Sequence, residues 1–198
     1  MPLGAHKAAI MGVAGVSTGD VVLIYDTDHS NAASASISSG IDSTYGEYIF
    51  GFYNMNPATD DAVFTFQVNA TDDAGGDYDV SLITTTNFYN YHWEADDAAN
   101  VGYLPSEDQA QSANFVYLQD ALGNDADASC AGTLHLFNPS STTYVKHFLW
   151  RGNAYRRNNG TVSNHVAGYI NDTTAIDDIQ FKMSTGNFDG TIKMWGGK

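Results

Sequence analysis

The 198-residue chain contains 23 acidic and 8 basic residues, which gives a net charge of −15 at pH 7. This acidity excludes sequence-independent binding to nucleic acid and to anionic lipid, because both need a basic surface. Aromatic residues make up 13% of the chain, a content that argues against disorder because aromatic surface can be buried in a core. The single cysteine, Cys130, excludes an internal disulfide and a cysteine-based zinc site.

The first segment of the chain is rich in small residues. An apolar stretch at 8–16 follows Lys7, but glycines interrupt it and it is too short to cross a bilayer. It is also a weak match to a signal peptide. We expect residues 1–20 to form an arm that docks on this domain or on a neighbouring subunit, and residues 21–198 to form one domain.

Alternation of apolar and polar residues with a period of two dominates the rest of the sequence. Such alternation is typical of strands with one face in water, and the enrichment in Thr, Tyr, Phe and Val supports this interpretation. Turn signals rich in Asn, Gly and Pro separate the segments. In chain order, strands are predicted at 21–25, 47–53, 62–68, 78–84, 88–93, 115–118, 133–137, 143–150, 166–170, 179–183 and 190–195.

One short helix is predicted at 106–112, because Ser106 and Gln109 have the spacing of a capping box. Strands and helices do not otherwise alternate along the chain. The sequence therefore predicts an all-β fold, an antiparallel two-sheet β-sandwich or jelly roll.

The charges are segregated along the chain. Residues 8–145 contain 19 carboxylates and neither Lys nor Arg, whereas residues 146–198 contain 7 basic and 4 acidic residues. Three interpretations are open: solvated loops suited to a medium of high ionic strength such as seawater, binding of divalent cations, and docking of the basic C-terminal quarter on an acidic neighbour, which could be another copy.

The segment 72–79 places four carboxylates in eight residues. Asp-rich glycine loops supply the oxygen ligands that calcium prefers, so Asp72, Asp73, Asp77 and Asp79 are candidate calcium ligands. The spacing does not fit an EF-hand, and a hairpin turn of this composition needs no ion. No other cofactor is expected.

Two clusters combine aromatic residues with histidine or arginine. We expect them to form subunit contacts, because Arg and aromatic residues are favoured in protein interfaces. Core packing, solvated surface and stacking on a glycan are the alternatives. The candidate residues are Tyr89, Tyr91 and Trp93 in the first cluster, and Trp150, Arg151, Tyr155, Arg156 and Arg157 in the second.

The sequence carries no signature of catalysis. The six histidines form neither an HxxxH nor an HxH pair, and there is neither a GxSxG motif nor a P-loop. Cys130 lies among small residues, which favours a buried thiol over a nucleophile. Adjacent carboxylates such as Asp60 and Asp61 point to opposite sides of a strand and would not flank one bond. We therefore expect a protein that is not an enzyme.

Three stretches carry a family resemblance: 39–50 (SGIDSTYGEYIF) with 54–59 (NMNPAT), 132–139 (GTLHLFNP) with 144–147 (YVKH), and 175–181 (AIDDIQF) with 184–194 (STGNFDGTIKM). Together they resemble small virion structural proteins of tailed bacteriophages, especially marine phages. The pattern of that family ends in Leu-Tyr-Gly, where this chain has Met194-Trp195-Gly196.

The resemblance implies a virion protein of the tail or fibre region, assembled in the cytoplasm of the host bacterium. Its partners would be other virion proteins and copies of itself, a trimer in the case of a fibre, with a host-surface glycan as a further candidate. It implies neither binding to nucleic acid nor insertion into a membrane. A capsid decoration or cement protein and a carbohydrate-binding module are the alternative functions.

Overall fold

The computed structural model describes residues 21–73, 76, 78 and 80–198, and the predicted arm at 1–20 lies outside this range. The regular structure of the described residues consists of β-strands, which confirms the all-β prediction. The strands are β1 (Val21–Ala32), β2 (Ala35–Ile37), β3 (Glu47–Pro57), β4 (Ala62–Ala70), β5 (Ile83–Trp93), β6 (Ala99–Tyr103), β7 (Val116–Leu122), β8 (Cys130–Phe137), β9 (Lys146–Arg156), β10 (Gly160–Ile170), β11 (Ile176–Met183) and β12 (Phe188–Gly197).

The strands form two antiparallel layers. The long sheet has the order β1-β12-β3-β8-β9-β10-β5-β6, and the short sheet has the order β7-β4-β11-β2. The layers are continuous at one corner, where Leu122 of β7 pairs with Arg156 of β9. The result is a folded-over sheet, a β-sandwich that is nearly closed; the jelly-roll connectivity stays a prediction.

The prediction of a helix at 106–112 is wrong. This segment runs beside β5 and accepts hydrogen bonds from the β5 backbone: Thr85 N donates to Gln109 O at 2.9 Å, and Asn87 N donates to the Asp108 carboxylate at 2.7 Å. The Gln109 side chain donates to the carbonyl of Phe115 at 2.9 Å instead of closing a capping box. Satisfying the backbone of a neighbouring strand outweighs the weak helix signal of a single capping pattern.

The core is an aromatic cluster between the two layers. Phe52 of the long sheet lies 4.9 Å from Phe181 and 5.1 Å from Phe64 of the short sheet, measured between ring centroids. Trp150 packs on Phe52 at 5.5 Å and is 2% exposed. Edge-to-face pairs of this kind add to the free energy of burial, so this cluster holds the layers together.

The Trp150 indole packs against a pair of glycines in neighbouring strands. Gly132 of β8 pairs with Gly152 of β9, and a Cβ at Gly132 would lie 2.6 Å from an indole carbon and 2.8 Å from the Arg151 carbonyl oxygen. Only a residue without a side chain leaves room for the indole at this point.

No helix of the described residues is long and apolar enough to cross a bilayer.

We predict that Gly132→Ala lowers the free energy of unfolding by about 1–3 kcal/mol, because the added methyl group overpacks the Trp150 site. The measurement is the denaturant midpoint of the full chain. Gly46→Ala is the matched control, since a Cβ there meets its nearest neighbour at an ordinary 3.7 Å. Equal midpoints for the two variants would contradict this account of the core.

Candidate docking surface and carboxylate cluster

Four adjacent strands of the long sheet, β8, β9, β10 and β5, contain neither Asp nor Glu, although the chain has 23 such residues. Their inward side chains are buried against the short sheet, and their outward side chains alternate with these. We call the side of the long sheet that is turned away from the short sheet the outer face. Its centre is therefore free of carboxylates.

Arg151 lies at the middle of this carboxylate-free region. It stands between Thr133 of β8 and His165 of β10 in the strand register, and its side chain is exposed. It makes no ion pair with any carboxylate of the described residues. A guanidinium without an internal partner is available to an outside carboxylate.

Four histidines project from the same face. His165 stacks on Phe88 with ring centroids 5.2 Å apart and planes 7° from parallel, and His147 lies beside Tyr169. Two histidines contact carboxylates that lie outside the four strands. These pairs are His135 Nδ1 with Glu47 Oε1 at 2.6 Å and His92 Nε2 with Asp96 Oδ1 at 3.0 Å.

Apolar side chains complete the outer face. Leu149 is 50% exposed and Phe88 is 49% exposed. The cross-strand row that holds Leu149 continues through His135 and then to Ile49, Trp195 and Leu23 on the neighbouring strands. With about 4.8 Å between strands and about 3.4 Å per residue, the face measures roughly 35 Å by roughly 30 Å.

The first predicted aromatic cluster lies on the opposite side of β5. Tyr89, Tyr91 and Trp93 are half-buried and point toward the inside of the sandwich. Their rings pack on each other, with centroids 5.8 Å apart for Tyr89 and Tyr91 and 4.7 Å apart for Tyr91 and Trp93. The Arg156 guanidinium lies 5.3 Å from the centre of the Trp93 ring. Neighbours within the chain therefore occupy much of the ring surface.

The second predicted cluster divides into three environments. Trp150 belongs to the core, whereas Arg151 and Tyr155 belong to the outer face. Arg156 lies 3.7 Å from the Asp120 carboxylate, and Arg157 forms an ion pair of 2.9 Å with an Asp on the loop before β4.

Sequence reasoning missed His147, Leu149, His165 and Phe88 as members of one surface. The absence of carboxylates from the predicted strands 88–93, 133–137, 143–150 and 166–170 was a partial signal, since 62–68, 115–118, 179–183 and 190–195 lack them too and only the strand order brings the four together.

An acidic end of the sandwich adjoins this face. Loops 57–62, 93–98 and 123–129 meet near the β9–β10 turn, where Asp61 N donates to Leu122 O at 2.9 Å and Glu94 N donates to Asn159 O at 3.0 Å. Burial raises the pKa of the Tyr155 hydroxyl, and nearby carboxylates raise it further. We call this region the acidic end; its exposed carboxylates are Asp60, Asp61, Glu94, Asp96, Asp97, Asp125 and Asp127.

The candidate calcium segment is described only in part. Asp72 and Asp73 gather with Asp172, so that one carboxylate oxygen from each lies within 4.8 Å of the others. Asp77 and Asp79 lie outside the described residues. Sequence reasoning missed Asp172, because it lies about a hundred positions away along the chain. The backbone bond from Thr71 N to Ala175 O and the bond from Thr174 Oγ1 to the Asp72 carboxylate at 3.0 Å bring it close.

A buried lysine lies beneath this carboxylate cluster. Lys146 is fully buried, and its Nζ donates to the carbonyl oxygens of Asp172, at 2.9 Å, and of Thr174. Burial lowers the pKa of this ammonium, and the carboxylates of Asp172 and Asp72 oppose that shift. The protein thus supplies its own cation near the cluster, and calcium binding there stays a prediction.

Comparisons with protein-family models, with curated proteins and with solved structures return no match for this chain. The fold and the surface together define an all-β domain with a broad outer face that is open to solvent.

We predict that Lys146→Met lowers the free energy of unfolding by about 1–3 kcal/mol, because two carbonyl oxygens lose a charged donor. The measurement is the urea midpoint at neutral pH. Lys198→Met is the control, since that side chain is exposed at the end of the chain. If the two variants unfold at the same urea concentration, the buried ammonium does not stabilise the fold.

Proposed function

We propose that this chain is a structural protein of a tailed-phage virion, associated with the tail, and that it acts by docking. The observation that carries the proposal is the carboxylate-free centre of the outer face, on β8, β9, β10 and β5, in a chain whose net charge is −15. The centres of protein interfaces are depleted in charged residues and enriched in aromatic residues and Arg. Arg151, Phe88 and Leu149 give the outer face this composition.

The size of the face also supports docking. A stable interface covers about 800 Å² on each partner. The whole outer face, roughly 35 Å by roughly 30 Å, is large enough for such a contact. Its margin on β1, β12 and β3 also carries the Asp26–Lys193 pair and Glu47 beside His135. It is a broad sheet surface open to solvent, which suits a protein partner better than a small substrate.

The placement in the tail rests on the family resemblance. The stretches that carry it fall mainly on three adjacent strands of the long sheet: 39–50 enters β3, 132–139 covers the end of β8, and 184–194 enters β12. This supports the interpretation that the shared pattern specifies the sheet that presents the outer face.

The packing of the aromatic residues favours docking over glycan binding. A carbohydrate-binding module would need an exposed ring face for stacking. Tyr91 and Trp93 pack on each other, and Arg156 lies against Trp93. The rings of the first cluster that the sequence offered for sugar stacking are therefore engaged within the chain.

We predict that antibody raised against the full chain labels the tail of intact particles in immunogold electron microscopy. The control is the same antibody after incubation with an excess of the purified chain, which should remove the label. Label spread over the head would instead assign the chain to capsid decoration. If intact particles carry no label, the particles are dissociated and examined by immunoblot with the same antibody. A positive blot would indicate a chain buried within the particle, and a negative blot would overturn the virion proposal.

A further inference from the structure

We infer that copies of this chain associate head to tail, with the acidic end of one copy seated on the carboxylate-free centre of the outer face of the next. The inference rests on the proposed docking function and names the partner of the same surface. It commits to a second copy because both complementary surfaces lie on one chain.

The first support is the charge of the acidic end. It presents seven exposed carboxylates, and the basic residues near them are Arg156 and Arg157. Arg157 pairs with Asp61, and His92 pairs with Asp96. The other five carboxylates make no side-chain hydrogen bond or ion pair with the rest of the described chain; they are Asp60, Glu94, Asp97, Asp125 and Asp127.

The second support is that the centre of the outer face presents a guanidinium and no carboxylate. Arg151 has no carboxylate partner among the described residues, and its neighbours in the register are Thr133 and His165. A carboxylate brought to this position would meet a guanidinium and no negative charge from β8, β9, β10 or β5.

The third support is that the acidic end is preformed. The side-chain amide of Asn56 donates to the carbonyl oxygens of Asp125 at 3.0 Å and of Ala128 at 2.5 Å, and Ala128 N donates to Asp125 O at 2.9 Å. These bonds fix the loop that carries Asp125 and Asp127. A loop held in this way loses little conformational entropy when it binds.

Charge also selects the arrangement of the copies. A two-fold contact that paired the centres of two outer faces would set Arg151 against its own copy, and a contact between acidic ends would oppose carboxylates. A heterologous contact pairs unlike surfaces, and it produces a closed ring when the rotation between copies closes. A ring suits a component arranged around a tail axis.

The experiment is sedimentation velocity of the full chain in about 0.05 M and about 0.5 M salt, a change that shortens the electrostatic screening length about threefold. We expect oligomers at low salt that dissociate at high salt. Arg151→Glu should weaken association at least about tenfold. Lys182→Glu makes the same charge change on the short sheet and should leave association unchanged; thermal unfolding checks that both variants fold.

A charge-swap mixture tests the orientation. The double variant Asp125→Lys with Asp127→Lys should also fail to associate, and mixing it with the Arg151→Glu chain should restore complexes. A native chain that stays monomeric at low salt, or equal loss in Arg151→Glu and Lys182→Glu, would overturn the inference. A monomeric chain that still labels the phage tail would reject self-association and leave the proposed function standing.

Discussion

The packing of Trp150 against Phe52 and Phe64 is the constraint on which the outer face of this protein depends. Side chains of a strand alternate between its two sides, so burying Trp150 obliges Leu149 and Arg151 to face outward. A shift of one residue in β9 would bury an arginine and expose an indole. The glycine pair beneath the indole removes the steric obstacle to this arrangement. The core thus determines which chemical groups the outer face presents.

The fold separates the carboxylates of the chain from the centre of the outer face. Carboxylates are concentrated in loops and at the acidic end, whereas the central strands of the long sheet have none. The carboxylates of Asp72 and Asp172 lie near a cation of the same chain, because the Lys146 ammonium is buried beneath them and donates to two carbonyl oxygens. A protein with a net charge of −15 repels its own copies unless complementary regions meet. Segregated charge of this kind gives orientation to a contact as well as affinity.

The sequence was informative about strands and less informative about surfaces. Alternation with a period of two identified most strands, because one side of each is buried and the other is not. It failed at 106–112, where bonds to β5 replaced a helix, and it treated 78–84 and 88–93 as separate strands although β5 runs from Ile83 to Trp93. The sequence placed Trp150 and Arg151 in one predicted cluster because they are adjacent. In the strand, their side chains point to opposite sides. The outer face and the proximity of Asp172 to Asp72 depend on strand order and loop pairing, which one sequence does not reveal.

The most direct test is hydroxyl-radical footprinting, read by mass spectrometry, of the isolated chain in about 0.5 M salt, where screening keeps its copies apart, and of the chain within intact particles. Leu149 and Phe88 are half exposed on the isolated chain, so both should be oxidised there. We expect Leu149 and Phe88 to be protected in particles, while Phe115 and Tyr117 on the short-sheet side keep their reactivity. Equal oxidation of Leu149 and Phe88 in both states would contradict docking through the outer face.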